Sequence, residues 1–108
     1  MEGDFAATSE LIQLEIMEKG PVGASLFVYD DFYDYKKGIY AHKPSAAPVG
    51  MHSIKIVGWG VDEKTLRPYW EASNTWGKRW GGSGFFKILR GSNECGIEYM
   101  ISTGDPLI

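Results

Sequence analysis

The sequence is poor in the residues that commonly cross-link or metallate a small domain. It holds one cysteine, Cys95, and two histidines, His42 and His52, in 108 residues. A single thiol excludes an internal disulfide and leaves the redox compartment undecided. No His/Cys spacing suits zinc, and neither a metal nor a cofactor is expected. No apolar run reaches the roughly 18 residues that suggest a spanning helix, so no membrane span is expected. The net charge of −3 gives no electrostatic reason to expect nucleic acid or an anionic membrane as a partner. There is no Asn-x-Ser/Thr acceptor. The stretch Met1-Glu2-Gly3-Asp4-Phe5 has neither a basic n-region nor an apolar h-region, so it is not expected to be a signal peptide.

Aromatic side chains (14%) and glycine (14 residues) are plentiful instead. Both suit a β-rich fold with tight turns better than a helical bundle. Residues 1–7 are expected to form a loose arm and residues 8–108 a single domain, long enough to bury a core without cross-links. Thr8 or Ser9 can cap a helix reaching about Lys19. Its apolar positions are Leu11, Ile12, Leu14, Ile16 and Met17, with Glu10, Glu15 and Glu18 turned outward. Gly20-Pro21 ends that helix.

Val22–Tyr29 reads as a strand, Asp30–Tyr35 as a turn or one loop of helix, and Gly38–Tyr40 as a short strand. Ala41–Gly50, with Pro44 and Pro48, is expected to be a loop in which His42 is solvated. Strands are expected over Ser53–Val57, just before Asn74, over Phe85–Leu89 and over Ile97–Ser102. The expected class is α+β: a bent antiparallel sheet or barrel with one N-terminal helix.

The chemistry centres on two of these strands. His52 opens the run Ser53-Ile-Lys-Ile-Val57, which closes on Gly58-Trp59-Gly60; Asn74 follows 22 residues later in Trp70-Glu-Ala-Ser-Asn-Thr-Trp-Gly77. Neighbouring strands can bring the two together, and an amide oxygen can then fix an imidazole's tautomer and plane. With a thiolate beside them, they would complete a Cys-His-Asn site. Taken alone, the same residues also fit a structural histidine and a turn asparagine.

The blocks around them carry a resemblance. Gly50-Met-His-Ser-Ile-Lys-Ile-Val-Gly-Trp-Gly60 and Ser73-Asn-Thr-Trp-Gly-Lys-Arg-Trp-Gly-Gly-Ser-Gly-Phe-Phe-Lys-Ile-Leu-Arg-Gly91 stand in the same order as in papain-family cysteine proteases. So do Gly20-Pro-Val22, Val28-Tyr-Asp-Asp-Phe32, Gly38-Ile-Tyr40 and Cys95-Gly-Ile-Glu98. The chain resembles their C-terminal, right-hand β-barrel domain from about Thr8 to Gly104, and the likeness is greatest to cathepsin B.

The resemblance implies a peptidase in which His52 is base and acid, Asn74 orients it, and Trp76 shields their hydrogen bond. Ser25 and Met100 would border the main specificity pocket. It further implies a peptide or protein substrate for the full enzyme, cystatin-type or propeptide inhibitors as partners, and a lysosomal, vacuolar or secreted parent.

The family nucleophile, by contrast, is not in this sequence. In such enzymes it lies about 130–150 residues before the His and Asn, whereas 51 residues precede His52 and no Cys-Gly-Ser-Cys-Trp-like phrase occurs. Cys95, in Asn93-Glu-Cys-Gly-Ile97, matches a non-nucleophilic family cysteine. Gln13, the only glutamine, sits on the expected helix, out of context for an oxyanion hole. The chain alone is therefore expected to be inactive without a cysteine-bearing domain.

Two departures from cathepsin B stand out: Met51 and Ser53 flank the histidine in place of glycine and alanine, and Met100 replaces a pocket glutamate. The second favours apolar or aromatic side chains over arginine. The competing function is a non-catalytic binding or regulatory protein that keeps the half-fold. In either case the apolar face that would meet the other domain is expected to promote a homodimer.

Overall fold

The computed structural model describes residues 5–74, 80–99 and 101–102. One helix, α1 (Phe5–Lys19), precedes strands β1 (Val22–Tyr29), β2 (Ile39–Tyr40), β3 (Pro48–Val61), β4 (Pro68–Ser73), β5 (Phe85–Leu89) and β6 (Ile101–Ser102). Two short 3-10 helices, Asp30–Asp34 and Glu94–Gly96, fill the connections. The strands form one six-stranded sheet in the order β2-β5-β4-β3-β1-β6. Four of the five pairings are antiparallel, but β2 runs parallel to β5. The fold is thus α+β with one helix, as expected; the sheet is mixed and open, with β2 and β6 as its edges.

Alternation along β1 explains the central pairing. Val22, Ala24, Leu26 and Val28 are buried while Phe27 is exposed, the period-two pattern of a strand with one face on the core. β1 pairs with β3 from Val22↔Ile56 to Val28↔Gly50, and Val49 is then skipped before Tyr29↔Pro48. A second irregularity skips Val57 between Ile56↔Ala72 and Gly58↔Glu71. Such bulges bend a strand and increase its twist. Pro48–Gly50 therefore belongs to β3, not to the loop expected over 41–50.

The core gathers Trp70, Phe32, Phe86, Ile12, Leu26, Ile56, Ile88 and Ile97, all essentially without solvent contact. Inside it the Glu98 side chain, 2% exposed, accepts hydrogen bonds from Trp70 Nε1 (2.8 Å), Gly91 N (2.5 Å) and Asn93 N (2.7 Å). A buried acidic group is tolerable when its oxygens are saturated in this way. Within the stretch expected as a strand over 97–102, residues 97–99 instead turn around this group, while Ile101–Ser102 pairs with β1.

α1 packs on β1 and β3. It begins at Phe5, inside the stretch expected to be an arm, so Thr8 and Ser9 lie within it and do not cap it. Ile12 is buried and Ile16 partly buried, but Leu11, Leu14 and Met17 are exposed. A polar seam takes over part of the docking. In the amide orientation that satisfies both donors, Gln13 Oε1 accepts from Trp59 Nε1 at 2.8 Å and from Arg90 Nη1 at 3.3 Å. Arg90 also donates to Gly60 O, Tyr69 O and Ser9 Oγ. Among the described residues, no helix is long and apolar enough to cross a membrane.

Candidate active site

His52 lies on β3 opposite Leu26 of β1. On its other side β4 pairs through Lys55↔Ser73. One further step sets Asn74 opposite Ile54, diagonally beside His52 on the same face, a separation that long side chains bridge. The structure closes that diagonal: His52 Nε2 stands 2.8 Å from Asn74 Oδ1. A carboxamide oxygen only accepts, so this contact calls for the tautomer in which Nε2 carries the proton and donates it. Both residues are half-buried.

The backbone of Asn74 is pinned from the next loop, where its N–H donates to Gly84 O at 2.9 Å. That loop is tight: Gly84 N donates to Trp80 O, and Gly82 pairs with Phe85 across a bridge. Trp80 anchors it, with ring centroids 4.9 Å from Phe32, 5.6 Å from Tyr35 and 5.6 Å from Phe86. Part of the aromatic wealth of the sequence is thus spent beneath the asparagine loop.

Of the other expected site residues, Ser25 is half-buried on β1 and pairs with Ser53. It shares the outward-facing alternation with Phe27 and lies on the opposite face of β1 from Leu26. Trp76 and Met100 lie outside the described residues.

Cys95 is buried, and its Sγ donates to Glu94 Oε2 at 3.2 Å. Burial, followed by that carboxylate, pushes the thiol well above its ordinary range. A thiol held neutral in this way lacks the thiolate character of a nucleophile.

His42 is not simply solvated, as the sequence suggested. Its ring stacks on Tyr29 (centroids 3.9 Å, planes 9° apart), and Nδ1 meets Glu94 Oε2 at 2.5 Å. The Glu94 carboxylate also accepts from the His42 backbone N–H at 2.9 Å. Sequence reasoning missed this cluster because its imidazole and its carboxylate lie 52 residues apart.

The profile described as papain family cysteine protease matches residues 2–104. The chain belongs to the papain family. It is 48% identical over 97 residues to cathepsin B-like cysteine proteinase 4 of Caenorhabditis elegans, covering 90% of this chain and 28% of that protein. It is 50% identical over 93 residues to a gut-specific cysteine proteinase of the same organism, covering 86% of this chain and 27% of the relative. Among solved structures, procathepsin B S9 from Trypanosoma congolense superposes with a TM-score of 0.78 at 41% identity, over 85% of this chain and 30% of its own. The chain therefore spans under a third of the length of each of these relatives. The cathepsin B likeness read from the sequence agrees with these family members, and so does the α+β architecture.

Proposed function

We propose that this chain supplies the histidine and asparagine of a Cys-His-Asn peptidase site, with the nucleophile provided by a cysteine-bearing domain outside these 108 residues. The observation that supports it is the 2.8 Å contact between His52 Nε2 and Asn74 Oδ1 in a chain of the papain family. With Nε2 engaged, Nδ1 takes the thiol proton and the thiolate attacks the scissile carbonyl carbon. The imidazolium then protonates the leaving amine as the carbon–nitrogen bond breaks. Water, deprotonated by the same imidazole, releases the acyl group and regenerates the thiol. Trp76 would shield the His–Asn hydrogen bond.

In this reading Ser25 and Met100 border the specificity pocket, and methionine there favours apolar or aromatic side chains over arginine. The full protein acts on peptides or proteins, in a digestive, lysosomal or secreted setting, and propeptide or cystatin-type inhibitors block it. The C. elegans relative named gut-specific and the structural neighbour described as digestive procathepsin L2 of Tenebrio molitor larval midgut support that setting.

The test is hydrolysis of a Phe-Arg fluorogenic peptide by the chain alone and by the chain joined to a cysteine-bearing domain from a cathepsin B-like relative. The chain alone is expected to be silent. The joined protein is expected to turn over, preferring Phe-Arg to Arg-Arg substrates. Turnover by the isolated chain that both His52→Ala and Cys95→Ala abolish would make Cys95 the nucleophile and overturn this assignment.

A further inference from the structure

We propose that His42, Glu94 and Cys95 form a binding site for a zinc-class divalent cation, separate from the His52–Asn74 pair. One ligand atom from each residue, an imidazole nitrogen, a carboxylate oxygen and a thiol sulfur, falls within 4.8 Å of the others. This N/O/S donor set matches a borderline-soft ion such as Zn2+ and is a poor match for Ca2+ or Mg2+, which take oxygen ligands.

The site is built from two segments: the residue after β2 and Ala41 brings the imidazole, and the 3-10 helix Glu94–Gly96 brings the carboxylate and thiol. The parallel β2–β5 pairing places these segments side by side. The cluster also has the supporting contacts that hold ligands in place. Tyr29 fixes the imidazole plane by stacking, and the His42 backbone N–H holds the Glu94 carboxylate. Asp31 lies nearby with both oxygens already occupied, by the Tyr40 hydroxyl and the Lys43 N–H.

Nδ1 and Oε2 sit 2.5 Å apart, a hydrogen-bond separation, and the thiol donates to the same oxygen. Two ligands of one tetrahedral ion stand roughly 3.3 Å apart, given metal–ligand bonds of about 2.0–2.3 Å. Rotation of the Glu94 carboxylate, which is partly accessible, opens that gap. The proton in the Nδ1–Oε2 contact leaves Nδ1 and one is taken up at Nε2, so His42 enters as the neutral imidazole through Nδ1 with no net change in its own proton count. Glu94 enters as carboxylate, and the Cys95 S–H bond breaks as the S–metal bond forms, releasing one proton to solvent. Three protein ligands leave a fourth position for water. Because one proton leaves per ion bound, affinity rises about tenfold per pH unit while the thiol is protonated in the free chain.

The test is a Co2+ titration of the reduced 108-residue chain, followed by competition with Zn2+. The expected result is a near-ultraviolet sulfur-to-cobalt charge-transfer band that saturates at one equivalent, is displaced by Zn2+, and releases a proton. Cys95→Ser removes the band. His42→Gln and Glu94→Gln, at partly exposed positions, keep the far-ultraviolet circular dichroism of the parent and each weaken Zn2+ binding about tenfold or more. Absence of the band up to millimolar Co2+ in the parent chain overturns the proposal. So does a band whose affinity is unchanged in both His42→Gln and Glu94→Gln, since the thiol would then be binding cobalt by itself.

Discussion

In the proposed site Asn74 sets which nitrogen of His52 carries the proton, and the two residues should fail differently when removed. In the chain joined to a cysteine-bearing domain, His52→Ala deletes the proton carrier, and kcat/KM is expected to fall by about 10²–10⁴. Asn74→Ala leaves the carrier and removes one hydrogen bond of about 1.5–3 kcal/mol to an imidazolium, or about tenfold to a hundredfold. If Asn74 acts only by positioning His52, that loss should appear in kcat with KM little changed. Equal losses for the two variants in steady-state kinetics would mean that Asn74 does more than orient.

A second residue-scale expectation concerns alkaline pH. Burial first, then Glu94, raises the Cys95 thiol above its ordinary 9.0, and burial first, then Asp31, raises the Tyr40 phenol above its ordinary 10.0. Each group holds its proton more tightly folded than unfolded. The stability it confers is complete below those ordinary values and is lost as pH climbs above them. In the metal-free chain the thermal midpoint should therefore stay level up to about pH 9 and decline beyond it. Cys95→Ser should delay the decline toward the onset set by Tyr40. A midpoint that stays constant to about pH 11 would contradict this assignment.

At the level of elements, the loop that pins Asn74 depends on glycine. Gly81 has φ +61°, and a Cβ there would lie 2.8 Å from the Phe85 carbonyl oxygen, closer than backbone tolerates. Gly81→Ala is expected to cost about 1–3 kcal/mol in chemical denaturation and to lower activity of the joined enzyme by moving Asn74. An unchanged denaturation midpoint would show that the loop relaxes freely. The elements around this loop are legible in sequence because their signals are local: alternation marks β1, β-branched residues mark β3, the aromatic and aliphatic run Phe85-Phe-Lys-Ile-Leu89 marks β5, and Gly20-Pro21 stops α1. What was not legible depends on contacts distant along the chain. The parallel β2–β5 pair joins Ile39 to Lys87, and no local pattern encodes that choice. The Ile97, Tyr99, Ile101 alternation looked like a strand, but the buried Glu98 draws three donors onto one side chain and bends the backbone around it. α1 was read as apolar on too many positions, since a helix tied down by Gln13, Ser9 and Arg90 needs little beyond Ile12 and Ile16 in the core.

Among the described residues, neighbouring apolar side chains are exposed both on the helix and on the sheet. On α1, Leu11, Leu14 and Met17 recur at three-residue spacing, with Met17 69% exposed. On the outer face of the sheet Phe27 and Met51 are cross-strand partners, 43% and 57% exposed. Neighbouring apolar residues of this size favour association when nothing covers them. The chain alone is therefore expected to self-associate, with a weight-average mass in sedimentation equilibrium that rises with concentration. Charges placed on one face at a time identify the contact. If the sheet face associates, Phe27→Asp with Met51→Lys restores the monomer, whereas Leu14→Lys with Met17→Glu does so if the helix does. A monomer at every concentration would mean that these side chains, though exposed, do not form an adhesive patch.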